Sequence, residues 1–75
     1  MSSEDGTMVT FDLGANIKEA RQAANLTQSR LAELMDVTQK DISRWERNER
    51  APSIMSLRKL CTTIGASADK LLGLA

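Results

Sequence analysis

The chain has no histidine and no tyrosine, and only one cysteine, one proline, one tryptophan and one phenylalanine in 75 residues. Each scarcity excludes something. Without His, and with Cys61 as the only thiol, the ligands of a zinc site are missing. Ser and Asp residues occur with no imidazole to activate them, so no enzyme active site and no cofactor are expected. A lone Cys cannot form an intrachain disulfide and fits a reducing compartment. No apolar run approaches the roughly 20 residues that cross a membrane. The first twelve residues lack the basic start and apolar run of a signal peptide, so a cytoplasmic location is expected. Aromatics are 3% of a chain that is 41% hydrophobic, which leaves Leu, Ala, Ile and Met to build the core. That composition favours helices over a sandwich or barrel.

The formal net charge is zero, but its distribution is uneven. Glu4, Asp5 and Asp12 lie in a stretch of twelve residues that has no Lys or Arg. From Leu13 onward there are ten basic residues against seven acidic ones. A polyanion responds to local placement rather than to the total. Residues 1–12 are read as a flexible acidic tail, solvated or mildly opposed to non-specific nucleic-acid contact. Phe11 is a candidate to fold back over the domain. Residues 13–75 form one domain, near the size at which a single core is just sufficient.

What is present centres on Thr27 to Arg47, TQSRLAELMDVTQKDISRWER. Thr27 is placed to cap one helix, with Leu26 and Leu31 at the positions of a hydrophobic staple. Thr38 repeats the device, with Asp41 at the third helical position and Val37 and Ile42 as the staple pair. Only Asp36 and Val37 separate Met35 from the second cap, enough for nothing but a sharp corner. Two helices so joined have the geometry of a helix-turn-helix, whose second helix can enter the DNA major groove.

Around this pair, helix one is expected over about Leu13 to Ala24, with Leu13, Ile17, Ala20 and Ala24 on one face and Asn25 as a left-handed stop. Helix two buries Leu31, Ala32 and Met35. Helix three buries Ile42 and Trp45, turning the indole towards the core. Pro52 places a loop after it. Ser53 caps helix four, whose buried stripe is Ile54, Leu57, Leu60, Cys61 and Ile64; on that stripe Cys61 is packing. Gly65 ends helix four, and Ser67 caps a last short helix that leaves Leu72 and Leu74 as an exposed apolar edge and candidate dimer contact.

Opposite Ile42 and Trp45, helix three presents Gln39, Lys40, Ser43, Arg44 and Arg47. Gln28 and Gln39 each follow a helix cap. From there a side-chain amide can meet a phosphate oxygen or the N6 and N7 edge of an adenine. Gln39 is read as a base contact and Gln28 as a phosphate contact. Arg44 is open to guanine recognition, phosphate contact, or an exposed ion pair with Asp41 or Glu49. Lys40 and Ser43 share its face and are grouped with it as base contacts. Arg47, Asn48 and Arg50 either hold the DNA backbone or are ordinary loop polars.

From Ile17 to Leu72 the chain resembles the Cro and phage-repressor helix-turn-helix family, the xenobiotic-response-element type. The resemblance rests on LTQ opening helix two, LAE with its small Ala32, VTQ opening helix three, IS-R-WE closing it, and the AP-S loop. It implies an all-α, five-helix, lambda-repressor-like domain that binds operators as a dimer. Position by position, Gln28 matches a phosphate-anchoring glutamine and Gln39 the first base reader. Arg44 falls where another base contact is common. Glu46 matches an acid that pairs with an arginine on helix one, here Arg21. Asp36 and Asn48 stand where the family commonly has Gly, and both residue types tolerate positive backbone angles.

The function expected is therefore a repressor-type transcriptional regulator, cytoplasmic and nucleoid-associated. It would bind double-stranded DNA as a homodimer on a two-fold operator, with half-sites about 34 Å apart. The alternatives are an antitoxin or bridging factor, in which a protein partner matters as much as DNA, and the DNA-targeting domain of a longer regulator or enzyme.

Overall fold

The computed structural model describes residues 12–74. Its helices are α1 (Leu13–Ala23), α2 (Gln28–Met35), α3 (Gln39–Glu46), α4 (Ile54–Ile64) and α5 (Ala68–Leu71). Four of them start where a Ser or Thr hydroxyl accepts an otherwise orphaned backbone N–H: Thr27 from Arg30, Thr38 from Asp41, Ser53 from Ser56 and Ser67 from Lys70, at 3.0–3.1 Å. At Thr38 the bond is reciprocated, because Asp41 Oδ2 accepts from the Thr38 N–H at 3.1 Å. The first helix is capped differently. Asp12, counted with the tail in the sequence reading, accepts the Ala15 N–H at 2.9 Å, so the folded unit begins one residue earlier.

The helices end on left-handed residues where the chain must reverse. Asn25, Asp36 and Asn48 have φ of 60°, 58° and 59°, and Gly65 has φ of 71°. Asn and Asp accept this conformation because a short polar side chain can bond locally. Asp36 therefore makes the α2–α3 corner without glycine.

The core is Ile17, Leu31, Ala32, Met35, Ile42, Trp45, Leu60 and Leu71, with Leu26, Val37, Leu57, Cys61 and Ile64 partly buried against it. Both members of each staple pair thus belong to one cluster, and burying each of its large side chains stabilises the fold by about 1.5–3 kcal/mol. Two expectations need correction. Ile54 is 79% exposed, not buried. It is the first residue of α4, a helix whose burial rests on contact with α2 and α5. In α5 the residue that enters the core is Leu71, fully buried, while Leu72 is half-buried. Asn16 Nδ2 donates to the Leu71 carbonyl at 2.9 Å and pins this short helix to α1. Among the described residues, no helix is long and apolar enough to cross a membrane. The readings for residues 1–11, including the fold-back of Phe11, lie outside the described residues.

Candidate nucleic-acid interface

Helix α3 is held on its inner side by three kinds of contact. Ile42 and Trp45 are buried in the core. Gly14 of α1 sits against the last carbonyls of α3, so close that a Cβ there would stand 2.3 Å from the Glu46 oxygen and 2.7 Å from that of Trp45. These are backbone atoms, which cannot rotate aside. The third contact is polar. Arg21 Nε donates to Glu46 Oε2 at 2.6 Å and Nη2 to Oε1 at 3.1 Å, while Nη1 donates to the Leu26 carbonyl at 2.7 Å. Both charged side chains are at most 9% exposed. One guanidinium thus ties together α1, the α1–α2 turn and α3, and the forked geometry is what makes a buried pair tolerable.

The same carboxylate reaches the start of α2. Gln28 Nε2 donates to Glu46 Oε1 at 3.0 Å, which fixes the amide of a half-buried side chain at the helix N-terminus. Gln28 is therefore oriented by the interior rather than left to solvent. The nitrogen keeps a second hydrogen for an outside acceptor.

On the outer side of α3, Gln39 and Lys40 are exposed, Ser43 and Arg44 half-buried. The structure gathers these four on one short helix whose opposite side is fixed. Asp41 stands among them with its carboxyl held below the ordinary value. The chief cause is the hydrogen bond from the Thr38 backbone, followed by the Thr38 hydroxyl and then the nearby Arg50 and Arg44 charges. Arg44 and Arg50 thus share a neighbourhood, although six residues separate them. Arg47 is paired with Glu49, Nε–Oε2 3.0 Å, both side chains more than half exposed; such a pair is weak and easily exchanged for another anion.

Asn48 is used in a way the sequence reading did not contain. Its Oδ1 accepts from the Gly14 N–H at 2.9 Å and its Nδ2 donates to Asp12 Oδ1 at 2.7 Å. The residue just after the C-cap of α3 thereby completes the cap of α1. The Asp12 carboxyl is lowered in consequence, by the Ala15 N–H first and the Asn48 amide second. A glycine in the first turn of a helix, where Ala is favoured by about 1 kcal/mol, is the sequence signal that would have pointed to close helix contact at Gly14. Nothing local marks Asn16 or Asp12 in the same way. At the other end, Leu74 is 73% exposed and Leu72 half-buried, so only the former is a prominent apolar projection there.

Among the described residues, no three His, Cys, Asp or Glu side chains are grouped to hold a metal.

Similarity to known proteins agrees with this arrangement. The chain is 41% identical over 63 residues to the HTH-type transcriptional regulator ImmR of Bacillus subtilis, covering 84% of this chain and 50% of ImmR. It thus spans about half the length of that relative. Among solved structures it is similar to the P22 c2 repressor, determined in complex with a synthetic operator, with a TM-score of 0.80 and 30% identity over 88% of this chain and 100% of that one. It is also similar to the clp gene regulator ClgR of C. glutamicum, with a TM-score of 0.77 and 31% identity over 83% and 80% of the two chains. The restriction-modification controller protein C.AhdI of Aeromonas hydrophila has a TM-score of 0.74 and 29% identity, covering 79% and 89%. A helix-turn-helix family model matches residues 17–71, from the middle of α1 to the end of α5. The chain belongs to the Cro/C1-type helix-turn-helix family, a family of DNA-binding transcriptional regulators rather than of enzymes.

Proposed function

We propose that this chain is the DNA-reading unit of a transcriptional repressor, with α3 laid in the major groove. The observation that carries this reading is the asymmetry of α3: Ile42, Trp45 and Glu46 are locked into the fold, and Gln39, Lys40, Ser43 and Arg44 share the side left free. A helix held this rigidly presents its side chains in a fixed register, which base discrimination requires. Gln39 at the helix start reads an adenine edge, and Arg44, one turn on, a guanine edge or a phosphate. Gln28, Arg47 and Arg50 hold the sugar–phosphate backbone. Asn48 serves it mainly through the position it gives α3.

The unit acts as a homodimer on a two-fold operator, within the nucleoid of the cytoplasm, and requires no cofactor or catalytic centre. Leu74, with Leu72 beside it, supplies an apolar edge for the second copy. The exposed neighbours Ile54 and Met55, at 79% and 71%, favour a second reading in which a protein partner covers the start of α4.

Selection of genome fragments on the purified chain tests the first reading. It predicts a two-fold symmetric site bound at least about 10³ tighter than random DNA. Failure to enrich any site, together with a stable heteromeric complex, supports the second.

A further inference from the structure

A groove of about 440 Å³ lies between the end of α2, the α2–α3 corner and α4. Met35, buried, and Val37, half-buried, line it from one side. Met55, in the first turn of α4, lines it from the other and is largely exposed, as is its neighbour Ile54. A methionine wall adapts its shape to what enters, because the side chain is unbranched and polarisable. Gln39, Lys40, Ser43 and Arg44 do not line the groove, so an occupant leaves the outer side of α3 free.

The charge at its edge is of one sign. Arg58 and Lys59 line the groove and are exposed. They are the only charged residues from Ala51 to Ala68. Among the described residues neither forms an ion pair, and no acidic side chain lines the groove. Glu33, on α2, is committed to Arg30 at 2.6 Å. Asp36 stands at the corner without lining the groove.

We propose that this groove docks an acidic amphipathic segment of another protein. Its apolar side chains seat between Met35, Val37 and Met55, and its flanking Asp or Glu side chains pair with Arg58 and Lys59. This rests on the second reading above, in which a protein partner covers the start of α4, and does not depend on DNA reading by α3. The other occupants fit less well. An open groove does not enclose a small ligand, whereas it accepts the anchoring side chains of a helix. A two-fold contact between copies centred here would set Arg58 and Lys59 against themselves. DNA phosphates match the cations but bring nothing apolar to Met55.

The test is selection of binders to the whole chain from a random library of peptides about 16 residues long. The selected peptides are expected to carry apolar residues at i and i+3 or i+4, with Asp or Glu beside them. A synthetic copy of one should bind about 10-fold more weakly to Arg58→Glu/Lys59→Glu and to Met55→Ala. Lys18→Glu/Lys70→Glu makes the same charge change on α1 and α5 and is the control. Peptides without acidic residues, none sensitive to Arg58 and Lys59, or equal weakening by the control overturn the proposal. The peptide should shift the backbone amide resonances of Val37, Met55, Arg58 and Lys59; shifts confined to Gln39 and Arg44 overturn it. So does a parent dimer that Met55→Ala dissociates in sedimentation, since a second copy then covers the groove. The peptide should bind alike with and without the duplex selected above, and displacement by that duplex contradicts the proposal. Peptide binding by a chain that selects no duplex would keep the groove and overturn the DNA-binding reading instead.

Discussion

The Glu46 carboxylate holds the Gln28 amide at 3.0 Å through the same oxygen that accepts from Arg21 Nη2 at 3.1 Å. A buried ion pair and the side chain proposed to hold a DNA phosphate are thereby coupled, and substitutions on the two sides of the bond separate their effects. Gln28→Ala should weaken binding to every duplex alike and cost about 0.5–1.5 kcal/mol of stability, the worth of one hydrogen bond. Glu46→Gln strands a buried guanidinium and should cost about 3–5 kcal/mol. Urea unfolding and duplex titration together check the pair of outcomes; a Glu46→Gln chain as stable as the parent would show that the ion pair is not what seats α3.

Gly14→Ala offers a test by sign. In an open helix this change stabilises by about 0.5–1 kcal/mol. Here the added methyl meets the Glu46 and Trp45 carbonyls, so α1 must move off α3, and a net loss of about 1–3 kcal/mol is expected. A shift of the thermal midpoint upwards instead of downwards would contradict the close helix contact.

Acid should loosen both helix starts that a carboxylate caps. Asp12 and Asp41 have lowered folded-state values, so each contributes stability that is complete above its unfolded value of about 4. That contribution is lost as pH falls through the folded value. The denaturant midpoint should therefore decline below about pH 4. Asp12→Asn, which keeps a capping acceptor, should flatten part of this decline. An identical acid profile in the variant would remove Asp12 from the account.

How far the fold could be read in advance follows from where its signals lie. Thr27, Thr38, Ser53 and Ser67 announce their helices because a cap acts over three residues, and periodicity alone placed Leu31, Met35, Ile42 and Trp45 inside. The features that went unread are settled by residues distant in the chain. Ile54 has the right spacing for burial but, at the first position of α4, is left exposed. Leu71 enters the core and Leu72, expected on an exposed edge, is half-buried, since the Leu71 carbonyl is tied to Asn16, 55 residues away. Asn48 could be placed in a loop, whereas its bonds to Gly14 and Asp12 cross 34 and 36 residues. The outer side of α3 was legible for the opposite reason: its polar residues are what remains once the core stripe is assigned.

The central claim is that α3 reads base edges, and Gln39 tests it most directly. The parent and Gln39→Ala chains would each be put through the same selection from random duplexes, with affinities measured on the selected site. If Gln39 reads an adenine, the variant loses about 1–3 kcal/mol on that site and its selected sequences relax at one base pair per half-site. If both chains select the same sequence with the same affinity, Gln39 reads nothing, and base reading by the start of α3 is contradicted.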